Sequence, residues 1–196
     1  PPDAAIDAAR DALTGRSAHV YSADAGNESL RVPLSDDLRV SGQGDISPGE
    51  LIITAGGNQA FMLALMTLVD PGDEVLLPAP YFVNHEMAVA AVGAVPKEVP
   101  ITEARGFAAC WEDLEPHISG RTRAVVICTP SNPTGAVVAG EEMTRVAHEL
   151  AARDIVLIVD ETYARFVYDA PFASVVTLPD WRANVVLVNT FSKSFG

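Results

Sequence analysis

Residues 124–160, AVVICTPSNPTGAVVAGEEMTRVAHELAARDIVLIVD, decide the architecture of this 196-residue chain. Both ends, AVVICT and IVLIVD, are apolar at successive positions rather than alternating, which is how strands read when helices cover both faces of their sheet. Between them, residues from about Glu141 to Ala152 bring apolar groups round at helical spacing. Strand, helix and strand in that order form a unit of a largely parallel sheet.

The same rhythm extends outward. Upstream, LIIT at 51–54 reads as a short strand, NQAFMLALMTLV at 58–69 as an apolar helix, Asp70-Pro71-Gly72-Asp73 as a turn and EVLLP at 74–78 as another strand. A helix near 83–92, a strand near 94–99 and a short helix near 111–118 lead to Ala124, and NVVLVNT at 184–190 is a further strand. Toward the amino terminus, DAAIDAARDAL at 3–13 is amphipathic and stops at Thr14-Gly15. After a loop through Tyr21 and Gly26, Asn27-Glu28-Ser29 caps a second helix toward Val40, in which Pro33 must occupy the first turn or bend the helix. The expected fold is α/β: a three-layer α/β/α sandwich with a mostly parallel sheet, in one domain without internal repeats.

Composition narrows the function. Hydrophobic residues at 48% and charged residues at 20% suit a single buried core. A formal charge of -13, with Lys and Arg few and scattered, disfavours nucleic acid as a partner. Cys110 and Cys128 do not form a C-x-x-C pair, and His19, His85, His117 and His148 lie too far apart for local metal spacing, so no metal is expected and a reducing cytoplasm fits. No run approaches the roughly 20 apolar residues of a membrane span. The start, Pro1-Pro2-Asp3, lacks the features of a secretory leader, and the missing initiator Met points to an incomplete chain.

In open α/β sheets ligands sit beyond the carboxyl ends of the strands, and the loops there hold the unusual residues. Ala55-Gly56-Gly57-Asn58-Gln59, opening a helix, can bring free N–H groups and the positive end of a helix dipole to a small phosphate; taken alone it is more simply a tight turn needing two glycines. Ser131-Asn132-Pro133-Thr134-Gly135 is an ordinary turn, or a place where Asn132 offers an amide to a ligand. Asp160 and Glu161 end a strand buried on both faces, where an unpaired carboxylate is costly, so an acid there needs a cationic or hydrogen-bonding partner unless it serves as a cap. Lys193, between Phe191 and Phe195, is expected to be partly desolvated, which would lower its pKa toward a value useful for covalent chemistry, although lone lysines are usually solvated. Gly42-Gln43-Gly44 is followed by Ser47 rather than glycine and precedes a strand, which removes a nicotinamide-binding reading.

Five segments in order, TAGGNQA (54–60), DPGDEVLLPAPYF (70–82), SNPTG (131–135), DETYARFVYD (160–169) and TFSKSFG (190–196), resemble the large domain of fold-type I pyridoxal-phosphate aminotransferases, the aspartate-aminotransferase-like class I/II group. The resemblance implies that Lys193 forms the internal aldimine with pyridoxal 5′-phosphate and later carries a proton at the substrate α-carbon. It places Asp160 against the pyridine nitrogen, Tyr163 and Asn132 on the phenolic oxygen, and Phe82 on the ring face. Gly57, Asn58 and Gln59, with the Thr190 and Ser192 hydroxyls, are the implied phosphate cradle. Tyr21 is the implied contribution to a neighbouring subunit's phosphate, which makes the protein a homodimer, although the family's segment usually reads YTP and Pro33 is atypical.

By the same resemblance, the partners are a small-molecule amino acid and a 2-oxo acid, with neither nucleic acid nor membrane. Residues 1–196 correspond to the cofactor-binding large domain. The amino-terminal arm, the small domain, a phosphate-binding arginine shortly after Gly196 and a substrate-carboxylate arginine further on are expected outside this span. Related pyridoxal-phosphate lyases, cyclases or synthases share Lys193, Asp160 and Tyr163, and a non-catalytic regulatory domain shares the fold.

Overall fold

The computed structural model describes residues 1–169 and 171–195; Gly196, the end of TFSKSFG, lies outside them. Five strands, β1 (Glu74–Ala79), β2 (Val95–Pro100), β3 (Thr122–Cys128), β4 (Val156–Asp160) and β5 (Val185–Val188), form one sheet in the order β2-β1-β3-β4-β5. Every pairing is parallel. The helices are α1 (Asp3–Thr14), α2 (Glu28–Val40), α3 (Gly57–Leu68), α4 (Val83–Ala91), α5 (Trp111–Leu114) and α6 (Gly140–Ala151).

Successive side chains of a strand point to opposite faces, and both faces here are apolar. Val75, Leu77, Ala124, Val126, Ile158 and Val188 pack with Phe61 and Leu65 of α3 and Val89 of α4. The intervening Leu76, Val125, Ile127, Leu157 and Val159 pack with Met143, Val146 and Leu150 of α6 and with Trp111 and Leu114 of α5. The three layers follow from this unbroken apolar pattern. Only β2, at the edge, is largely exposed.

At the amino end of the sheet, Glu74 is buried and accepts hydrogen bonds from Ser119 Oγ (2.7 Å), Arg121 Nη2 (2.6 Å) and Lys97 Nζ (3.2 Å). Ser119 and Arg121 together hold its carboxyl down to about 2, with Lys97 assisting. The opposite, carboxyl end is where the order reverses: β1 leads to β2 on one side, and β3 to β5 lie on the other. A crevice is expected at such a reversal.

Three local expectations are corrected. Leu51–Thr54 is extended but joins no strand; the Ile53 N–H donates to the Ala25 carbonyl (3.0 Å) and Ile52 faces solvent. Its β-branched residues favour extended backbone, but a strand also needs a sheet edge to pair with. The last strand stops at Val188 rather than Thr190, because the Asn189 side chain accepts the Thr190 N–H (2.7 Å). Pro33 lies past the first turn of α2, on an exposed position where the Ser29 carbonyl, lacking its N–H donor, can be hydrated. Asn27 is the residue before α2, though its side chain makes no capping hydrogen bond.

Candidate cofactor site

The β4 strand delivers two consecutive carboxylates to the carboxyl end of the sheet, one to each face. Asp160 continues the face of Ile158, toward α4. There Asp160 Oδ2 lies 3.2 Å from His85 Nε2, and its Oδ1 accepts the Thr162 N–H (2.9 Å). Burial alone would push the Asp160 carboxyl up, but the hydrogen bonds from His85 and Thr162 outweigh it and hold the group below its ordinary value. An ionised carboxylate only accepts, which places a proton on His85 Nε2. His85 is itself wedged between rings, 4.6 Å from Phe61 and 5.6 Å edge-on to Phe82.

Glu161 continues the opposite face, that of Leu157 and Val159. It is 2% exposed, and its carboxyl accepts Ser174 Oγ (2.7 Å) and the Val175 N–H (2.6 Å). Burial raises it to about 7, the charge of Asp160 adding to that rise while the two hydrogen bonds oppose it. Cys128 stands opposite Asp160 in the β3–β4 register; burial, then the Asp160 charge, pushes its thiol up to about 12.

A second group forms where α3 starts. Gly56 has φ +88°, a conformation open to glycine, and turns the chain into α3. The side of Gly57 on which a Cβ would stand faces the exit of β5, 3.6 Å from Thr190 Cβ. Thr190 Oγ1 and Ser192 Oγ are 3.0 Å apart. The first N–H groups of α3 therefore sit beside two hydroxyls, an arrangement suited to an anion. Gln59 turns back on this turn, its Oε1 accepting the Ala55 N–H (2.5 Å), while Asn58 is exposed.

The remaining candidates lie on the connections that follow β3, β4 and β5 and, for Tyr21, on the connection before α2. Asn132 is half-buried in the loop closed by Ser131 N–H to the Ala136 carbonyl (2.8 Å). Tyr163 is half-buried and meets Phe166 edge-on at 6.1 Å. Lys193 is exposed, and Phe191 and Phe195 pair with each other at 5.8 Å instead of enclosing it, so the expected desolvation by its neighbours is not realised in this span. Tyr21 is fully exposed. A cavity of about 20 Å³, the size of one water, lies at the order reversal and is lined by residues including Tyr81, His85, Cys128 and Ser131.

The sequence reading missed His85. Its only signal was position: on α4 the buried residues are His85 and Val89, an i, i+4 pair facing the sheet, so a polar residue takes an inward place that demands a partner. On the other face of the sheet, Cys110, Glu112 and Glu142 approach within 4.8 Å, but Glu142 accepts the Trp111 N–H and Glu112 pairs with Arg145.

These residues suit a flat, phosphorylated, basic aromatic cofactor. Asp160 is an anion with 11% of its side chain still accessible and lone pairs left to accept a ring N–H. The α3 start offers donors to a phosphate. A parallel α/β sheet with an acid at one strand exit and helix N–H groups beside hydroxyls at another is an arrangement that can hold a phosphate-bearing cofactor. The chain belongs to the family described as Aminotransferase class I and II, whose model matches residues 1–196. The cofactor of that family is pyridoxal 5′-phosphate.

The chain is 39% identical over 176 residues to the putative aminotransferase YugH of Bacillus subtilis, covering 89% of this chain and 46% of that protein. It is also 39% identical over 177 residues to a probable aspartate/prephenate aminotransferase of Aquifex aeolicus, covering 89% and 45%. Among solved structures, the aromatic aminotransferase of Pyrococcus horikoshii superimposes with a TM-score of 0.92 at 33% identity, over 99% of this chain and 52% of that one. The chain thus spans about half the length of the relatives it matches. Among the described residues no helix is long and apolar enough to cross a membrane.

Proposed function

We propose that the complete protein is an aminotransferase that moves an amino group between a small-molecule amino acid and a 2-oxo acid, with residues 1–196 as its large cofactor-binding domain. The arm and small domain of the family would be supplied by chain outside this span. The observation that carries the reading is the buried, ionised Asp160 at the mouth of β4, oriented by His85, in a chain of this family.

When bound, pyridoxal 5′-phosphate supplies an electron-accepting ring that stabilises negative charge at the substrate α-carbon. Asp160 would hold a proton at the ring nitrogen, and the His85 hydrogen bond keeps the carboxylate ionised and aimed. Lys193 would bind the cofactor covalently and, once the substrate amine displaces it, move the proton at the α-carbon; its exposure leaves its amine free to reach. Asn132 and Tyr163 would donate to the phenolic oxygen, and Phe82 would cover the ring face. Gly57, Asn58 and Gln59, with Thr190 and Ser192, would bind the phosphate.

A homodimer in which Tyr21 reaches the neighbouring subunit's phosphate is supported by the full exposure of Tyr21 and by Leu63, Met66, Val83 and Met87 standing exposed on α3 and α4. A cytoplasmic location is supported by two free cysteines.

The deciding experiment uses the complete protein with its cofactor. Borohydride reduction followed by peptide mass spectrometry should place a pyridoxyl group on Lys193, and incubation with an amino donor and a 2-oxo acid should yield a new amino acid stoichiometrically. An unmodified Lys193 in cofactor-saturated protein would overturn the catalytic reading. An adduct without amino transfer would point to lyase or synthase chemistry.

A further inference from the structure

Glu161 is buried more deeply than Asp160, yet nothing in the proposed chemistry uses it. Its position is set by strand parity: Asp160 projects toward α4, and the next residue must project to the opposite face. There it meets the short helical turn 175–177, accepting Ser174 Oγ at 2.7 Å and the Val175 N–H at 2.6 Å; Ser174 is 1% exposed. The Glu161 backbone is equally committed. Its N–H donates to the Val188 carbonyl at the end of β5 (2.9 Å), and its carbonyl accepts the Ala164 N–H (2.9 Å), closing the turn that carries Tyr163. One residue therefore joins the exits of β4 and β5 to the 174–177 segment.

That segment is itself fixed. Gly44, in the connection after α2, comes so close to Val176 that a Cβ would stand 2.6 Å from its Cγ2. The turn anchored by Glu161 also presents the Thr162 N–H that holds Asp160 Oδ1. Displacing the Glu161 side chain would release the turn from 174–177 and with it one of the two donors that orient Asp160.

We infer that Glu161 is a positioning residue: through its hydrogen bonds to Ser174 and Val175 it sets the Asp160–Tyr163 turn against the 174–177 segment, and so the placement of the acid that meets the cofactor ring. Glutamine has the shape of glutamate: its amide oxygen accepts the Val175 N–H as the Glu161 carboxyl does, and its NH2 donates to Ser174 Oγ, which reverses the direction of that hydrogen bond but keeps it. Glutamine should therefore replace Glu161, and alanine should not.

The inference rests on the cofactor reading, and its test separates the two. The complete protein, loaded with pyridoxal 5′-phosphate at pH 6, is compared with E161Q, E161A and S174A, and with D160N as the control for the cofactor site. Cofactor release and the position of the visible absorption band of the bound cofactor are measured alongside thermal melting. E161A and S174A are expected to release the cofactor roughly three- to tenfold faster, the effect of one lost hydrogen bond, with a displaced band, whereas E161Q matches the parent. S174A, which removes a single hydroxyl, decides the matter if E161A does not fold. Lowered melting with unchanged release and band would make Glu161 structural only and overturn the inference, as would an E161Q no better than E161A. A D160N that keeps cofactor and spectrum unchanged would instead overturn the cofactor reading itself.

Discussion

His85 on α4 and Asp160 on β4, 75 residues apart in sequence, meet at 3.2 Å on the carboxyl edge of the sheet, both buried. The contact gives the inward histidine a partner and keeps the acid ionised where burial opposes charge.

Removing the histidine leaves a buried anion with one donor fewer. His85→Leu is expected to lower the unfolding free energy by about 3 kcal/mol. In a double-mutant cycle with Asp160→Asn, urea unfolding should show the two losses to be strongly non-additive. Additive losses would mean that the pair carries no coupling.

Glu74 predicts part of the acid limb. Its folded pKa is depressed to about 2 from an ordinary 4.5, so its stabilisation is present above the ordinary value and is lost as pH falls through about 2. Glu74→Gln should flatten the pH dependence of the melting temperature within that window and leave it unchanged above pH 5.

Glu161 has the opposite sign. Its folded pKa is raised to about 7, so the folded state holds a proton that the unfolded chain gives up, and its contribution is full below about 4.5 and declines as pH rises to about 7. Relative to the parent, Glu161→Gln should therefore melt progressively higher as pH is raised from 4.5 to 7, with a constant difference above. A difference independent of pH would show that the carboxyl does not titrate in that window.

The two glycines at the start of α3 should respond differently. Gly56 at φ +88° has open space around it, so Gly56→Ala meets backbone strain rather than a clash and should cost about 1–3 kcal/mol. Gly57→Ala places a methyl at 3.6 Å from Thr190 Cβ, an ordinary contact, and should be neutral or stabilising by up to about 1 kcal/mol. Calorimetry of both variants checks the ordering.

Much of the fold was legible because the buried strands carry no alternation: AVVICT and IVLIVD could only be covered on both faces, and β3 and β4 lie where those runs predict. LIIT misled because four extended residues, three of them β-branched, do not reveal whether a sheet edge is free to receive them. The glycines at the start of α3 and the acid that ends β4 could be singled out as candidates from the sequence, since strand exits gather ligands in such sheets. His85 was not, because the need for a partner arises only once α4 is laid on the sheet and its inward positions are known. The environment of Lys193 was misjudged for a similar reason: flanking aromatics in sequence do not determine whether the rings turn toward the lysine or toward each other, as Phe191 and Phe195 do.

Because Asp160 and Glu161 leave β4 on opposite faces, the strand behaves as a reading frame. Deleting or inserting one residue between Val156 and Val159 would send Asp160 toward Ser174 and Glu161 toward His85, exchanging two acids whose surroundings push their proton affinities in opposite directions. Changes of length in this part of the chain are therefore confined to the connections before and after β4, while the five residues of the strand can vary in kind but not in number.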